Sequence, residues 1–249
     1  MLKLDIFITH LELQVKNHSI YVFGAQGEGK DIISESWIAK METTPTNAQR
    51  AIRFWKKQVE AGYGDVLRAF DCSGLGMYEL QILFGFPDTT ADGMFKKYTK
   101  QITKAQLRRG DWVGKRNSQG VVTHIGYVVD NNLNVVECKG RDDGCVKLPL
   151  SRGAWNYYGR PTIFEEPGGE TCMTELPVLK RGMKDDGGAV SSWQLLLRGY
   201  NYRGEDGELI KVDGDFGKNT EFATKVCQRK HDLEPTGIVD GDTWKFLII

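Results

Sequence analysis

The 249-residue chain has no charge of one sign to spare: 33 Lys and Arg balance 33 Asp and Glu. Proteins that displace counterions from nucleic acid carry a basic excess, so a nucleic-acid partner is not expected. Long apolar runs are also missing. The longest are stretches such as Ile82-Leu83-Phe84 and Phe246-Leu247-Ile248-Ile249, far short of the ~20 residues that cross a bilayer, so no membrane insertion is expected. The opening Met1-Leu2-Lys3-Leu4-Asp5-Ile6 lacks a charged stretch followed by a clean apolar one, which predicts synthesis in the cytoplasm without a signal peptide. Histidine is scarce. His10, His18, His124 and His231 are too scattered for a helical zinc motif. The five cysteines (Cys72, Cys138, Cys145, Cys172 and Cys227) are odd in number and irregular in spacing. That argues against a disulfide scaffold and for reduced thiols, one of them chemically special.

What is present suits a globular protein. Hydrophobic residues make up 40% and charged residues 27%, with a mean hydropathy of −0.40, enough apolar matter for a core. The polar run Glu165-Glu166-Pro167-Gly168-Gly169-Glu170-Thr171 reads as a linker. The expected organisation is a domain at 1–164, a linker at 165–176 and a second domain at 177–249. Residues 171–249 hold 11 basic and 13 acidic residues, so this part is not a charged arm.

The first part reads as α+β. Ile52, Trp55 and Val59 recur at helical spacing in 48–61, and Leu75, Tyr78 and Ile82 do so in a helix opening near Cys72. Strands are expected at 121–129 and 135–138, with a turn at Asn131-Asn132. The second part reads as helical, with Val190, Trp193 and Leu197 on one stripe, and Phe222 and Val226 on another.

Cys72 lies in Phe70-Asp71-Cys72-Ser73-Gly74, at the head of an amphipathic stretch. A cysteine at a helix N-terminus meets free N–H groups and the positive end of the macrodipole. Both are expected to lower the thiol pKa and to hold an oxyanion. Taken alone, such a cysteine is more often a buried structural residue. A nucleophile also needs a base brought from elsewhere, and the base needs a third group to fix its tautomer. His124 sits among apolar strand residues, either as a satisfied core histidine or as that base. Glu137 lies beyond the turn. Cross-strand partners sum to 261 or 263, depending on whether the turn is Asp130-Asn131 or Asn131-Asn132, and both registers put His124 and Glu137 on one face. The alternative for Glu137 is an ion pair with Lys139 or Arg141.

These residues resemble a known family. Asp71-Cys72-Ser73-Gly74-Leu75, then Leu107-Arg108-Arg109-Gly110-Asp111-Trp112, then His124-Ile125-Gly126 are similar to the NlpC-type cell-wall cysteine peptidases. The resemblance spans roughly residues 15–160. It implies a papain-like α+β fold with a central antiparallel sheet, with Cys72 as nucleophile, His124 as general base and acid, and Glu137 as third member. The family more often has His, Asn or Gln at that third place, so Glu137 is a departure. Tyr21, in Tyr21-Val22-Phe23-Gly24, resembles the tyrosine that lines the family's active site. Roughly fifty residues separate it from Cys72, which marks 28–65 as a helical insertion, a lid or substrate wall. Asp71 and Ser73 resemble residues that receive the amine end of a stem peptide. Their other reading is helix capping, which Asp and Ser perform routinely. Arg141 and Trp155 are read either as shaping the cleft or as framework.

Residues 178–249 resemble the small all-α peptidoglycan-binding module of wall hydrolases. The match runs through Val190…Trp193-Gln194-Leu195-Leu196, Val212-Asp213-Gly214-Asp215-Phe216-Gly217…Thr220 and Thr236-Gly237-Ile238-Val239-Asp240…Thr243-Trp244. Together the two resemblances imply a hydrolase that cuts an amide bond in stem peptides, acts at the bacterial cell wall with peptidoglycan as partner, and is laid out like a phage or prophage endolysin. They imply no metal or organic cofactor. The alternatives are an N-acetylmuramoyl-alanine amidase, an acyl transferase with the same triad, or a catalytically dead wall-binding protein.

Overall fold

The computed structural model describes residues 2–164, 176–185 and 188–248. Most of the expected linker lies outside these residues, as does Cys172. The elements in chain order are α1 (Leu2–Lys16), β1 (Ile20–Tyr21), β2 (Gln26–Glu28), α2 (Glu35–Met41), α3 (Pro45–Glu60), β3 (Ala69–Phe70), α4 (Gly74–Phe84), α5 (Ala91–Tyr98), β4 (Thr99–Gln101), β5 (Trp112–Arg116), β6 (Val122–Val128), β7 (Asn134–Gly140), β8 (Gly144–Pro149), β9 (Tyr157–Pro161), α6 (Ala189–Gly199), α7 (Lys218–Lys230) and α8 (Gly241–Lys245). The protein is mixed α+β, with an antiparallel sheet and a helical C-terminal region. No helix among the described residues is long and apolar enough to cross a membrane.

Two compact units form. One comprises Gln14–Tyr78 and Pro87–Glu165; the other comprises Met1–Leu13, Glu79–Phe86 and Glu166–Ile249.

In the first unit a six-stranded antiparallel sheet runs in the order β4-β9-β5-β6-β7-β8. A smaller sheet, β1-β3-β2, pairs β1 with β3 in parallel, setting Tyr21 opposite Phe70. The segment at 28–65 folds as two capped helices. Ser34 accepts from Trp37 N at the start of α2. Thr44 accepts from Asn47 N ahead of Pro45, whose missing N–H costs nothing at a helix start. Ile33, Ile38 and Ala51 bury against Ile20, Val22 and Ala69, with Trp37, Ile52 and Trp55 packed alongside. The helix expected over 48–61 is therefore present, but its inward face is set by Ala48, Ala51 and Gln58, and Val59 is exposed. Small residues let α3 approach the core closely, a signal that bulk hydrophobicity does not carry.

Sheet register follows the second of the two possibilities. Tyr127 pairs with Val136 and Val128 with Val135, so partners sum to 263. The turn is held by Asp130, whose carboxylate accepts from the backbone N–H groups of Asn132 and Asn134, while Leu133 takes a left-handed conformation.

In the second unit α6, α7 and α8 surround two indoles. The rings of Trp193 and Trp244 meet edge to face at 5.0 Å. Each indole N–H is satisfied, Trp193 by Thr224 Oγ1 and Trp244 by the carbonyl of Pro177. In α7 the buried face is Thr220, Ala223, Thr224, Cys227 and Gln228, so the expected Phe222/Val226 stripe is only half-buried. Two buried glutamines do the same job in the two halves of this unit. Gln194 accepts from Asp213 N and Gly214 N and donates to Asp213 Oδ1, Asp215 O and Thr220 Oγ1. Gln228 accepts from Gly237 N and donates to Thr236 Oγ1, Ile238 O and Thr243 Oγ1. Each ties a glycine turn to a helix, a structural repeat that residue identity alone conceals. Gln194→Ala strands several buried polar groups at once. It is expected to destabilise this unit by about 3 kcal/mol and to speed hydrogen exchange at the amides of Asp213 and Gly214.

Candidate active site

Helix α4 begins at Gly74, two residues beyond Cys72, and Asp71 organises its start. Asp71 Oδ1 accepts from Ser73 N (3.0 Å), Ser73 Oγ (3.0 Å) and Gly74 N (2.7 Å). Asp71 Oδ2 accepts from Gly24 N, and Asp71 N donates to Ala25 O. Ser73 is buried with its hydroxyl spent on Asp71. Asp71 thus caps the helix and fastens the Gly24–Ala25 loop to it, while the Ser73 side chain only braces Asp71. The fit leaves no room at Gly74, where a Cβ would lie 2.1 Å from the carbonyl oxygen of Ala25.

The half-buried Cys72 faces a fork in the large sheet. Strands β6 and β7 are laddered only at Tyr127↔Val136 and Val128↔Val135, and they part beyond Gly126. Along β6, odd-numbered residues turn their backbone groups toward β7, as Val129 N does in donating to Asn134 O. Past the fork those groups face Cys72 instead. Its Sγ lies 4.0 Å from the carbonyl oxygen of Thr123 and within hydrogen-bonding reach of the backbone N–H of Ile125. The sulfur is therefore set against the two peptide groups that flank His124.

The side chain of His124 reaches across the fork. Its Nε2 stands 2.6 Å from Glu137 Oε2, and its ring stacks on Trp155 at a centroid distance of 5.7 Å and an angle of 12°. Glu137 is buried, at 3% exposure. With Nε2 engaged by a carboxylate, Nδ1 is the nitrogen left for chemistry. Gly126 makes the stack possible, because a Cβ there would lie 2.6 Å from Val135 and 2.9 Å from Trp155.

The charge state of the thiol differs from expectation. The Cys72 pKa is pushed up to about 11, first by burial and then by the neighbouring Asp71 carboxylate. The backbone N–H groups of Ile125, Ser73 and Cys72 pull it down without prevailing. Burial, together with a carboxylate next door, outweighs the N–H groups around the sulfur. At neutral pH the resting sulfur is a thiol, and its proton must leave during attack. Alkylation of Cys72 by iodoacetamide is accordingly expected to climb with pH toward 11. A plateau reached below pH 8 would mean that a thiolate–imidazolium pair already exists at rest.

Tyr21 faces the same place. Burial, followed by the negative charge of Cys72 and Asp71, drives its hydroxyl well above the ordinary tyrosine range, so it stays a donor. Arg141 lies over the Tyr21 ring, 5.1 Å from its centroid, and is clamped by the buried carboxylate of Glu42 (Nε to Oε2, 2.8 Å). Glu42 follows α2, so the inserted segment reaches the site indirectly. No sequence signal marked Glu42; Arg141 and Trp155 were visible only as cleft or framework residues. Among the described residues, no cluster of three His, Cys, Asp or Glu could hold a metal ion.

Comparisons with known proteins give two kinds of result. No curated protein matches the chain by sequence. Among solved structures, the P60 domain of an antigen from M. avium subspecies paratuberculosis is similar at a TM-score of 0.39 and 16% identity, over 62% of this chain and 93% of that one. The peptidoglycan hydrolase RipB from Mycobacterium tuberculosis is similar at 0.32 and 16%, over 62% and 82%. The NlpC/p60 domain of the peptidoglycan hydrolase SagA is similar at 0.32 and 16%, over 36% and 76%. The family model described as putative peptidoglycan binding domain matches residues 186–247, so the C-terminal part of this chain carries that family's signature.

Proposed function

We propose that the protein is a peptidoglycan hydrolase that cuts an amide bond in cell-wall stem peptides, with Cys72 as nucleophile, His124 as base and acid, and Glu137 as the group that orients His124. One observation carries the reading: the Cys72 sulfur abuts the peptide groups on either side of His124, whose far nitrogen is bonded to a buried carboxylate. In the attack, His124 Nδ1 takes the thiol proton as sulfur closes on the carbonyl carbon. The backbone N–H groups of Cys72 and Ser73, already directed at the sulfur, are suited to receive the developing oxyanion. Glu137 stabilises the imidazolium that results. His124 then protonates the leaving amine, and a water activated by the same imidazole releases the acyl group from Cys72.

The remaining assignments are part of the same proposal. Residues 1–164 are the catalytic domain, with the 28–65 insertion as a wall of the cleft, 165–176 is a linker, and 177–249 is the wall-binding domain. Tyr21, as a permanently protonated donor beside the sulfur, binds substrate. Asp71 and Ser73 shape the amine end of the cleft through the turn they hold. The binding domain raises the local concentration of enzyme on the wall, a gain in avidity that needs no new catalytic contact. A catalytic domain joined to a wall-binding one suits an endolysin.

Mass analysis of fragments released from purified peptidoglycan tests the bond. A new amine inside the stem peptide is the expected product. A free lactyl carboxylate on muramic acid would make the enzyme an N-acetylmuramoyl-alanine amidase, and no soluble product at all would reject hydrolysis.

A further inference from the structure

Cys138 and Cys145 are both buried, and the mechanism uses neither. They are direct register partners on adjacent antiparallel strands, β7 and β8. Directly opposed residues on such strands alternate between hydrogen-bonded and non-hydrogen-bonded pairs. In the latter the Cα atoms lie about 4.5 Å apart and the side chains are closest. Three features place Cys138 and Cys145 in the second class. Leu150 N donates to Leu133 O, which makes the odd-numbered residues of β7 the bonded ones. Pro149, which has no N–H, sits opposite Asn134 in the same even-numbered series. Cys145 N donates away from β7, to the carbonyl of Ser19. A separation of about 4.5 Å falls within the range a disulfide spans, and the two thiols are already in hydrogen-bonding contact.

We infer that Cys138 and Cys145 form a cross-strand disulfide when the protein meets an oxidising low-molecular-weight disulfide. The step is a double exchange. Because both thiols are buried, the exchange needs a transient opening of the edge strand β8, after which the Cys145 sulfur gives up its proton, attacks the reagent disulfide and expels one thiol. The Cys138 thiolate then attacks the mixed disulfide at Cys145 and expels the second. Two protein thiols and one reagent disulfide thus become one protein disulfide and two reagent thiols. The bond closes an eight-residue segment that includes the β7–β8 turn. It also removes the thiol hydrogen of Cys138, whose sulfur lies 3.4 Å from Phe70 O and 3.7 Å from Ile20 O, the residues leading into Cys72 and Tyr21. This inference is independent of the proposed hydrolase activity.

The test treats the full chain with oxidised glutathione in mild urea, which admits the reagent to the buried pair, blocks remaining thiols under denaturing conditions, and maps tryptic peptides without reduction. Cleavage after Lys139 and Arg141 separates the two cysteines, so the bond appears as a cross-linked peptide pair about 2 Da lighter than the sum of its reduced parts. The thermal midpoint of the wild type is expected to rise by a few degrees on oxidation, and that of a Cys138→Ser/Cys145→Ser variant is expected not to move. Recovery of both cysteines as blocked thiols after oxidation in mild urea, or pairing of either one with Cys72, Cys172 or Cys227, would overturn the inference.

Discussion

Cys72→Ala is expected to lower the rate of peptidoglycan hydrolysis by at least ~10⁴-fold, because loss of a nucleophile removes the covalent route altogether. The fraction of protein that co-sediments with purified cell walls should stay the same, since the family match lies at residues 186–247, remote in sequence from the thiol. Measuring release of soluble fragments and wall binding on one preparation separates the two effects. The substitution is mild for the fold: Cys72 is half-buried, precedes α4, and leaves the cap bonds of Asp71 to Ser73 and Gly74 untouched. Turnover that persists in this variant would end the thiol mechanism, whatever its effect on binding.

Glu137 carries the second large effect, and comparing two replacements makes it informative. Glu137→Ala removes the acceptor that holds His124 Nε2 at 2.6 Å. Loss of the orienting group in a triad costs on the order of 10²–10⁴-fold in kcat. Glu137→Gln keeps the shape but not the charge that stabilises the imidazolium, and its amide can donate as well as accept and so favour the wrong imidazole tautomer. Its loss is expected to approach ~10⁴-fold, as for the carboxylate-to-amide change in a Ser-His-Asp triad. In both variants kcat should fall while KM stays near the wild-type value, because Glu137 is buried and touches His124 rather than substrate. A change in KM with kcat intact would make Glu137 a residue of the binding surface instead.

Much of this site could be read from the chain because strand chemistry is periodic. His124 and Glu137 share a face in either plausible register, so the two-residue uncertainty in the turn did not matter. The segment Asp71-Cys72-Ser73-Gly74 announced a helix start, and Asp71 does cap α4, with Ser73 bracing it. Other features are not local in sequence. The raised thiol pKa depends on burial and on the carboxylate of Asp71, and helix placement alone suggested the opposite sign. The parting of β6 from β7 leaves no trace in hydrophobic pattern, yet it decides what lies beside the sulfur. The clamp of Glu42 on Arg141 joins residues 99 positions apart, and nothing in either neighbourhood marks it. Helix faces were misphased where small or polar residues do the packing, as Ala48, Ala51 and Gln58 do in α3.

The opening between β6 and β7 also bears on how the reacting pair moves. The sulfur rests on the main chain at 123 and 125, and the imidazole hangs from the residue between them. The imidazole and the backbone groups at 123 and 125 that face the sulfur ride on one strand, whereas the sulfur hangs from the turn ahead of α4 that Asp71 ties down. Breathing of the sheet therefore moves the imidazole and its neighbouring peptide groups as one block against a fixed sulfur, so a single displacement sets both how far the proton must travel and how the thiol is held.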